Sequence, residues 1–297
     1  MLEIKALYKR FGDKEVLRGV DLQVPKNSVF GFIGKNGAGK TTTMKAVLGL
    51  IKADSGSIFV DGEPVKYGET ATNRKIGYLP DVPEFYPFMT AREYLFLCGD
   101  ITGVERREAA SRTDELLELV GLSEEKHRIG GFSRGMKQRL GIAQALFSRP
   151  QLLICDEPTS ALDPVGRKEI LDILCTASSS TTVLFSTHIL SDVERICTDV
   201  AFLDGGRIAL NGKLGDIKSR YSTDEYLLET DKKADAEHLC AAFPFMRAEG
   251  ECLLVFKDKN GALARVLRFL SDMEMGVLRV ERKEPSLEAL FMEAVEK

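Results

Sequence analysis

Residues Gly34-Lys35-Asn36-Gly37-Ala38-Gly39-Lys40-Thr41 fit the pattern G-x-x-x-x-G-K-[ST], and they lie between an apolar run, Val29 to Ile33, and a helix-like run, Thr42 to Ile51. A strand, a glycine loop and a helix start in that order form a cradle for phosphate. The glycines Gly34, Gly37 and Gly39 let backbone N–H groups turn inward around an anion, with Lys35, Asn36 and Ala38 between them. The helix N-terminus, at Thr41 and Thr42, adds partial positive charge, and Lys40 reaches the terminal phosphates. Thr41 is placed to ligand Mg²⁺. The competing reading, a glycine turn that caps a helix, loses ground once both flanks are required.

The 297 residues suggest about two domains and allow a core that needs no disulfide or metal staple. A net charge of −4 leaves no general basic field, so nucleic acid is not an expected partner. The six cysteines lie far apart, with no C-x-x-C pair, and read as reduced thiols of a cytosolic protein. The N-terminus opens directly into an alternating strand pattern without the apolar stretch of a signal peptide. No apolar run reaches 18 residues, so any membrane role is expected to come through a partner.

Strand-like segments at Leu2–Leu7, Val20–Val24, Val29–Ile33, Ser57–Val60, Ile76–Leu79, Leu152–Cys155, Thr182–Ser186, Val200–Leu203 and Arg207–Leu210 alternate with helical patterns. The pattern is α/β with parallel strands, and the region from about residue 90 to 147 reads as a helical insert. After about Tyr221 a shorter cycle of strands and helices begins, which predicts a first domain over 1–221 and a small α+β domain over 222–297. The charges of this tail read as solvated loops, and His238 as structural.

Leu152-Leu153-Ile154-Cys155 is an apolar strand that ends in Asp156-Glu157, about 115 residues after the phosphate loop. Acidic residues at a strand end can hold a metal and activate water. Asp156 suits Mg²⁺ held through its water shell, and Glu157 suits a general base for water attacking a γ-phosphate.

Three further segments carry a resemblance. Phe132-Ser133-Arg134-Gly135-Met136 looks like the signature motif of the ATP-binding subunits of ABC transporters, usually L-S-G-G-Q. Ser160-Ala161-Leu162-Asp163 looks like that family's D-loop, Ser186-Thr187-His188 like its switch histidine, and Phe11 sits where an aromatic stacks on adenine. Alone, each suits a blander role: a helix cap at Ser133, a helix started by Pro164 at Asp163, core side chains at His188 and Phe11. Their joint order does not.

The resemblance covers residues 1 to about 220 and implies a P-loop NTPase cassette that hydrolyses ATP with Mg²⁺. It implies that two copies close head to tail, so that the Ser133 hydroxyl and Gly135 N–H reach the partner's γ-phosphate. His188 would contact the γ-phosphate and Asp163 would link the two sites. Two places depart from the pattern: Arg134 and Met136 replace glycine and glutamine, and Asp81, in Gly77-Tyr78-Leu79-Pro80-Asp81, stands where glutamine contacts Mg²⁺ and water. Asp81 could hold Mg²⁺ through water or merely cap a turn.

The segment Gly77 to Leu95 and the tail Glu284 to Phe291 resemble subunits of exporters whose membrane permease is a separate chain. The expectation is a homodimer or paired cassette, peripheral on the cytoplasmic face of the membrane through that permease. Pro83, Phe85, Tyr86, Pro87 and Phe88 would offer it an apolar face, or pack internally. Two rivals, a soluble ABC-type ATPase acting on ribosomes or DNA and a small-molecule kinase, fit less well. The first usually has two cassettes or a long coiled coil, and the second has no use for the signature.

Overall fold

The structure is a computed structural model, and it describes residues 1–69, 71–220, 224–283 and 286–296. The expected domain boundary at Tyr221 and the residues Glu284 and Pro285 lie outside the described residues.

The first ten strands are β1 (Leu2–Phe11), β2 (Lys14–Val24), β3 (Val29–Ile33), β4 (Ser55–Val60), β5 (Glu63–Pro64), β6 (Ile76–Leu79), β7 (Leu152–Asp156), β8 (Thr182–Thr187), β9 (Asp199–Asp204) and β10 (Arg207–Lys213). The helices among them are α1 (Lys40–Val47), α2 (Ala91–Thr102), α3 (Arg106–Leu119), α4 (Arg134–Leu146), α5 (Pro164–Ala177), α6 (Leu190–Ile196) and α7 (Leu214–Arg220).

These strands form two sheets, in the orders β2-β1-β4-β5 and β10-β9-β3-β8-β7-β6. The expectation of parallel strands holds for β6, β7, β8, β3 and β9 and needs correction elsewhere: the whole first sheet, and β10, are antiparallel. The reason lies in the connections. Phe11 pairs with Lys14 across Gly12-Asp13, and Arg207 pairs with Asp204 across Gly205-Gly206. A two-residue turn can only reverse the chain, whereas parallel neighbours need a crossover of a dozen residues or more. Gly205 and Gly206 have φ of 51° and 82°, the left-handed conformation that such a turn requires.

The core lies between the two sheets. Leu2, Ile4, Leu17 and Val20 of the antiparallel sheet pack with Phe30, Phe32, Leu152, Ile154 and Leu184 of the other, and Met44 and Val47 of α1 fill the space between. Helix α1 thus packs against β2, β4 and β7, which locks the phosphate loop to both layers. The helical insert is as expected: α2, α3 and α4 pack on one another, and α4 lies on β6. Helix α2 starts at a capping box in which Thr90 Oγ1 accepts from the Glu93 N–H and Glu93 Oε2 accepts from the Thr90 N–H.

By its backbone the chain divides into two compact units, the first built on Met1–Leu214 and the second on Gly215–Glu293. The second holds α7 from Gly215 onward, β11 (Glu225–Thr230), α8 (Lys233–Ala242), β12 (Arg247–Ala248), β13 (Leu253–Lys257), α9 (Ala262–Asp272), β14 (Val277–Arg282) and the part of α10 (Leu287–Glu296) up to Glu293, the end of α10 counting with the first. Its antiparallel sheet runs β12-β13-β11-β14 around a core of its own that includes Leu228, Leu239, Leu254, Phe256 and Val266. This is an α+β arrangement, as the change of rhythm after residue 221 predicts.

Candidate active site

The order β3-β8-β7-β6 puts the ends of four neighbouring parallel strands in a row, and each end carries one element of the site. The phosphate loop follows β3, His188 follows β8, Asp156 and Glu157 close β7, and Asp81 follows β6. Functional groups gather at the carboxyl edge of a parallel sheet because crossovers bring each loop back there. Here a cleft of about 490 Å³ is lined by Phe11, Asn36, Gly37, Gly39, Lys40, Thr41, Thr42, Asp81, Asp156, Glu157 and His188, together with Lys14, Val16 and Ser160. Most residues expected from sequence therefore share one cavity.

The loop is held tightly at its start. The Gly34 N–H donates to the Thr187 carbonyl at 3.3 Å, and a Cβ at Gly34 would lie 2.5 Å from the Leu203 carbonyl oxygen, so a side chain there would push the loop off the sheet. The Ala38 N–H closes a turn onto the Lys35 carbonyl at 3.1 Å. Gly39, at φ 114°, begins α1, in a conformation that L side chains avoid. Lys40 is buried, and its Nζ donates to the carbonyls of Gly34 at 2.6 Å and Lys35 at 3.3 Å.

The carboxylates are positioned by Ser186, whose role sequence reasoning missed. Its buried hydroxyl donates to Asp156 Oδ1 at 2.7 Å and accepts from the Glu157 N–H at 3.0 Å. One side chain on β8 thus sets both acids at the end of β7. The signal was present, since Ser186 directly precedes Thr187-His188, but strand pairing is needed to bring it opposite Asp156. Glu157 has φ 49°, unusual for a residue with a side chain, and such outliers gather where the surroundings over-determine the backbone. Its Oε2 lies 2.9 Å from His188 Nδ1. An ionised carboxylate only accepts, so Nδ1 carries the proton and Nε2 is left for another partner.

Phe11 is half exposed, with Lys9 Nζ 5.1 Å from its ring centroid. Lys14 and Val16 come to the cleft because β2 folds back beside Phe11; the Gly12-Asp13 turn is the signal that could have found them.

Asp81 neither caps a turn through its side chain nor stands free. Its Oδ1 accepts from Arg134 Nη2 at 3.1 Å, and its carbonyl accepts from the buried Gln138 Nε2 at 2.6 Å. Burial raises its pKa above the ordinary aspartate value, Arg134 opposes this, and Asp156 and Glu157 add to it. The neighbouring Tyr78 hydroxyl is pushed up to about 12, first by burial and then by Asp156.

Ser133, Gly135 and Asp163 are not in this cleft. Ser133 caps α4 by accepting from the Met136 N–H at 3.2 Å, and Asp163 caps α5 by accepting from the Gly166 N–H at 3.1 Å, ahead of Pro164. An accepting cap leaves the Ser133 O–H proton available to donate.

The site's donors are hard oxygens, the kind Mg²⁺ prefers. Among the described residues no three His, Cys, Asp or Glu side chains form a closed metal cage. Mg²⁺ is ordinarily bound by one or two carboxylates with phosphates and water, so the open set of Thr41, Asp156 and Asp81 fits it.

Comparison with known proteins agrees with this geometry. The ABC transporter family model matches residues 17–160, and a second, the C-terminal domain of DrrA1-3-like ATP-binding proteins, matches residues 212–295. The chain is 39% identical over 305 residues to the uncharacterized ABC transporter ATP-binding protein YxlF of Bacillus subtilis (strain 168), covering 99% of each. It is 34% identical to the bacitracin transport ATP-binding protein BcrA of Bacillus licheniformis, with 97% of this chain and 95% of that protein covered. A bacterial ABC transporter cassette solved as a dimer superposes with a TM-score of 0.64 at 26% identity, over 72% of this chain and 99% of its own. A P-loop cassette with both acids at one sheet edge, related along its whole length to such subunits, belongs to the ATP-binding proteins of ABC transporters and is an ATPase.

Proposed function

We propose that two copies of this chain close head to tail on two ATP molecules and drive a separate integral-membrane permease that exports its cargo. The observation that carries the reading is the incompleteness of one cleft. It holds the phosphate loop, the acids and His188, while Ser133, Gly135 and Asp163 point their chemistry elsewhere. A second copy's signature would supply the missing donors, and a cassette matched here over 99% of its length was solved as a dimer.

In this reading Lys40 exchanges its loop carbonyls for the phosphates, and Phe11 stacks on adenine. Glu157 takes the proton of the attacking water, and His188 holds the γ-phosphate through Nε2 while Nδ1 stays fixed on Glu157. Thr41, Asp156 and Asp81 would hold Mg²⁺, which neutralises phosphate charge. Asp163 links the two sites.

Among the described residues no helix is long and apolar enough to cross a membrane, so attachment to the cytoplasmic face is assigned to the permease. Val82, Tyr86 and Phe88 are largely exposed beside Asp81 and offer the docking face, whereas Phe85 packs edge-on against Tyr94 at 5.0 Å, so the segment serves both docking and internal packing. The full-length relatives are transporter subunits, which speaks against the ribosome or DNA reading. BcrA is a bacitracin transport protein, which makes peptide antibiotics the first cargo to try.

The test is affinity purification of the tagged chain from detergent-solubilised membranes of its own host, identification of what co-purifies and assay of the complex. A stoichiometric complex whose ATPase is stimulated by bacitracin is expected. A chain that never leaves the soluble fraction removes the permease, and an unstimulated complex removes this cargo.

A further inference from the structure

The two residues that depart most from the expected motifs, Asp81 and Arg134, are partners, with Nη2 and Oδ1 3.1 Å apart. Both side chains are more than two-fifths exposed, at 42% for Arg134 and 47% for Asp81, and an exposed pair of this kind adds little to folding stability. The joint they bridge is already secured by other means. The buried Gln138 side chain holds the Asp81 carbonyl at 2.6 Å, and α4 packs so closely on β6 that a Cβ at Gly141 would lie 2.5 Å from Leu79 Cδ1. The backbone is therefore fixed while the ion pair above it is free to exchange.

Each member of the pair also sits badly without the other. Arg134 is the first residue of α4, a helix with no acidic residue in its first turn, so its charge opposes the positive end of the helix dipole. Asp81 lines a cleft that already holds the carboxylates of Asp156 and Glu157. Two groups that repel their own surroundings and attract each other keep one another in place only until better partners arrive. For Asp81 the better partner is a metal-bound nucleotide in its own cleft. For Arg134, between Ser133 and Gly135, it is a phosphate presented to the start of α4.

We propose that Asp81 and Arg134 form an exchangeable latch: when Mg·ATP fills the cleft, Asp81 turns toward it, and the released Arg134 donates to the γ-phosphate of the ATP held by a second copy. Arg134 is then a phosphate ligand in trans, released by occupancy of its own site. This rests on the head-to-tail reading above and adds to it the reason why a carboxylate and a guanidinium occur together.

The test uses the full chain carrying Glu157→Gln, so that ATP is bound and barely consumed. The ATP concentration giving half-maximal dimer at saturating Mg²⁺ is read by light scattering after size exclusion. Arg134→Ala should raise that concentration about tenfold, the weight of one charge-assisted hydrogen bond to phosphate. Asp81→Asn changes the nucleotide's own cleft as well as freeing Arg134, so it serves as a background: adding Arg134→Ala to it should raise the requirement about tenfold again, because Arg134 acts on the second copy's phosphate. A static tether predicts that Arg134→Ala adds nothing once the Asp81 charge is gone. That result, or indifference to Arg134, overturns the latch alone. Absence of any ATP-dependent dimer in the Glu157→Gln parent removes the head-to-tail reading and the latch together.

Discussion

Lys40 Nζ stands 3.0 Å from Glu157 Oε1, yet its hydrogen bonds are aimed at the carbonyls of Gly34 and Lys35. Glu157 Oε1 is buried and has no aligned donor. The pair is held by charge without a directed bond, and both groups keep their hydrogen-bonding capacity close to where a phosphate and a water would enter.

Lys40→Ala is therefore expected to cost ATP affinity at least about tenfold, the loss of a charge-assisted bond to phosphate. The fold should survive, because the loop's glycines and the packing of α1 remain. Titration with a fluorescent ATP analogue decides it: equal affinity in variant and parent would show that the loop does not bind phosphate through this lysine.

Glu157→Gln keeps an acceptor for the His188 Nδ1 proton but loses the base that the proposed mechanism assigns to Glu157. Turnover should fall by about 10²–10⁴, the usual contribution of general base catalysis, with ATP affinity close to that of the parent. A single-turnover measurement separates the two; a variant that hydrolyses at the parent rate would move the base elsewhere.

Much of this was legible in the chain. Val29–Ile33 and Ile76–Leu79 have the expected limits because apolar runs bounded by polar or glycine residues leave little choice. Helix α1 was expected to reach Ile51 but stops at Val47, because Gly49 at φ 66° turns the chain. β-strand periodicity does not reveal strand direction, so the antiparallel layer shows in the chain only through the turns at Gly12-Asp13 and Gly205-Gly206. The ion pair of Asp81 is not legible in the chain because its partner lies 53 residues away, on a helix whose placement only tertiary packing settles.

A chain ending at Arg220 should fold and bind ATP. The first core, around Phe32, Met44 and Ile154, and the second, around Leu228, Leu254 and Phe256, share no residue. The phosphate loop, both acids, Ser133 and His188 precede the cut. Circular dichroism and nucleotide titration check this, and an insoluble or ATP-blind product would show that the second unit is required for the first to fold.

Ser186→Ala offers the sharpest test of how the acids are held. The hydroxyl fills two needs at once, donating to Asp156 and accepting from the Glu157 N–H, and no water-exposed face is available to replace it because Ser186 is fully buried. Removing it leaves a partly buried N–H without its acceptor on a residue already at φ 49°, so a loss of about 1 kcal/mol in unfolding free energy is expected. The backbone at Glu157 can relax from its left-handed conformation once that bond is gone, which moves the base. Turnover should then fall by about tenfold or more, since small displacements of catalytic groups are costly. ATP affinity should change less, because Lys40 and the loop are held by α1 and by Gly34, not by Ser186. Denaturant unfolding, ATPase rate and nucleotide titration on one preparation separate these effects. A variant with the parent's stability and rate would mean that the bridge is incidental and that β8 positions the acids by packing alone.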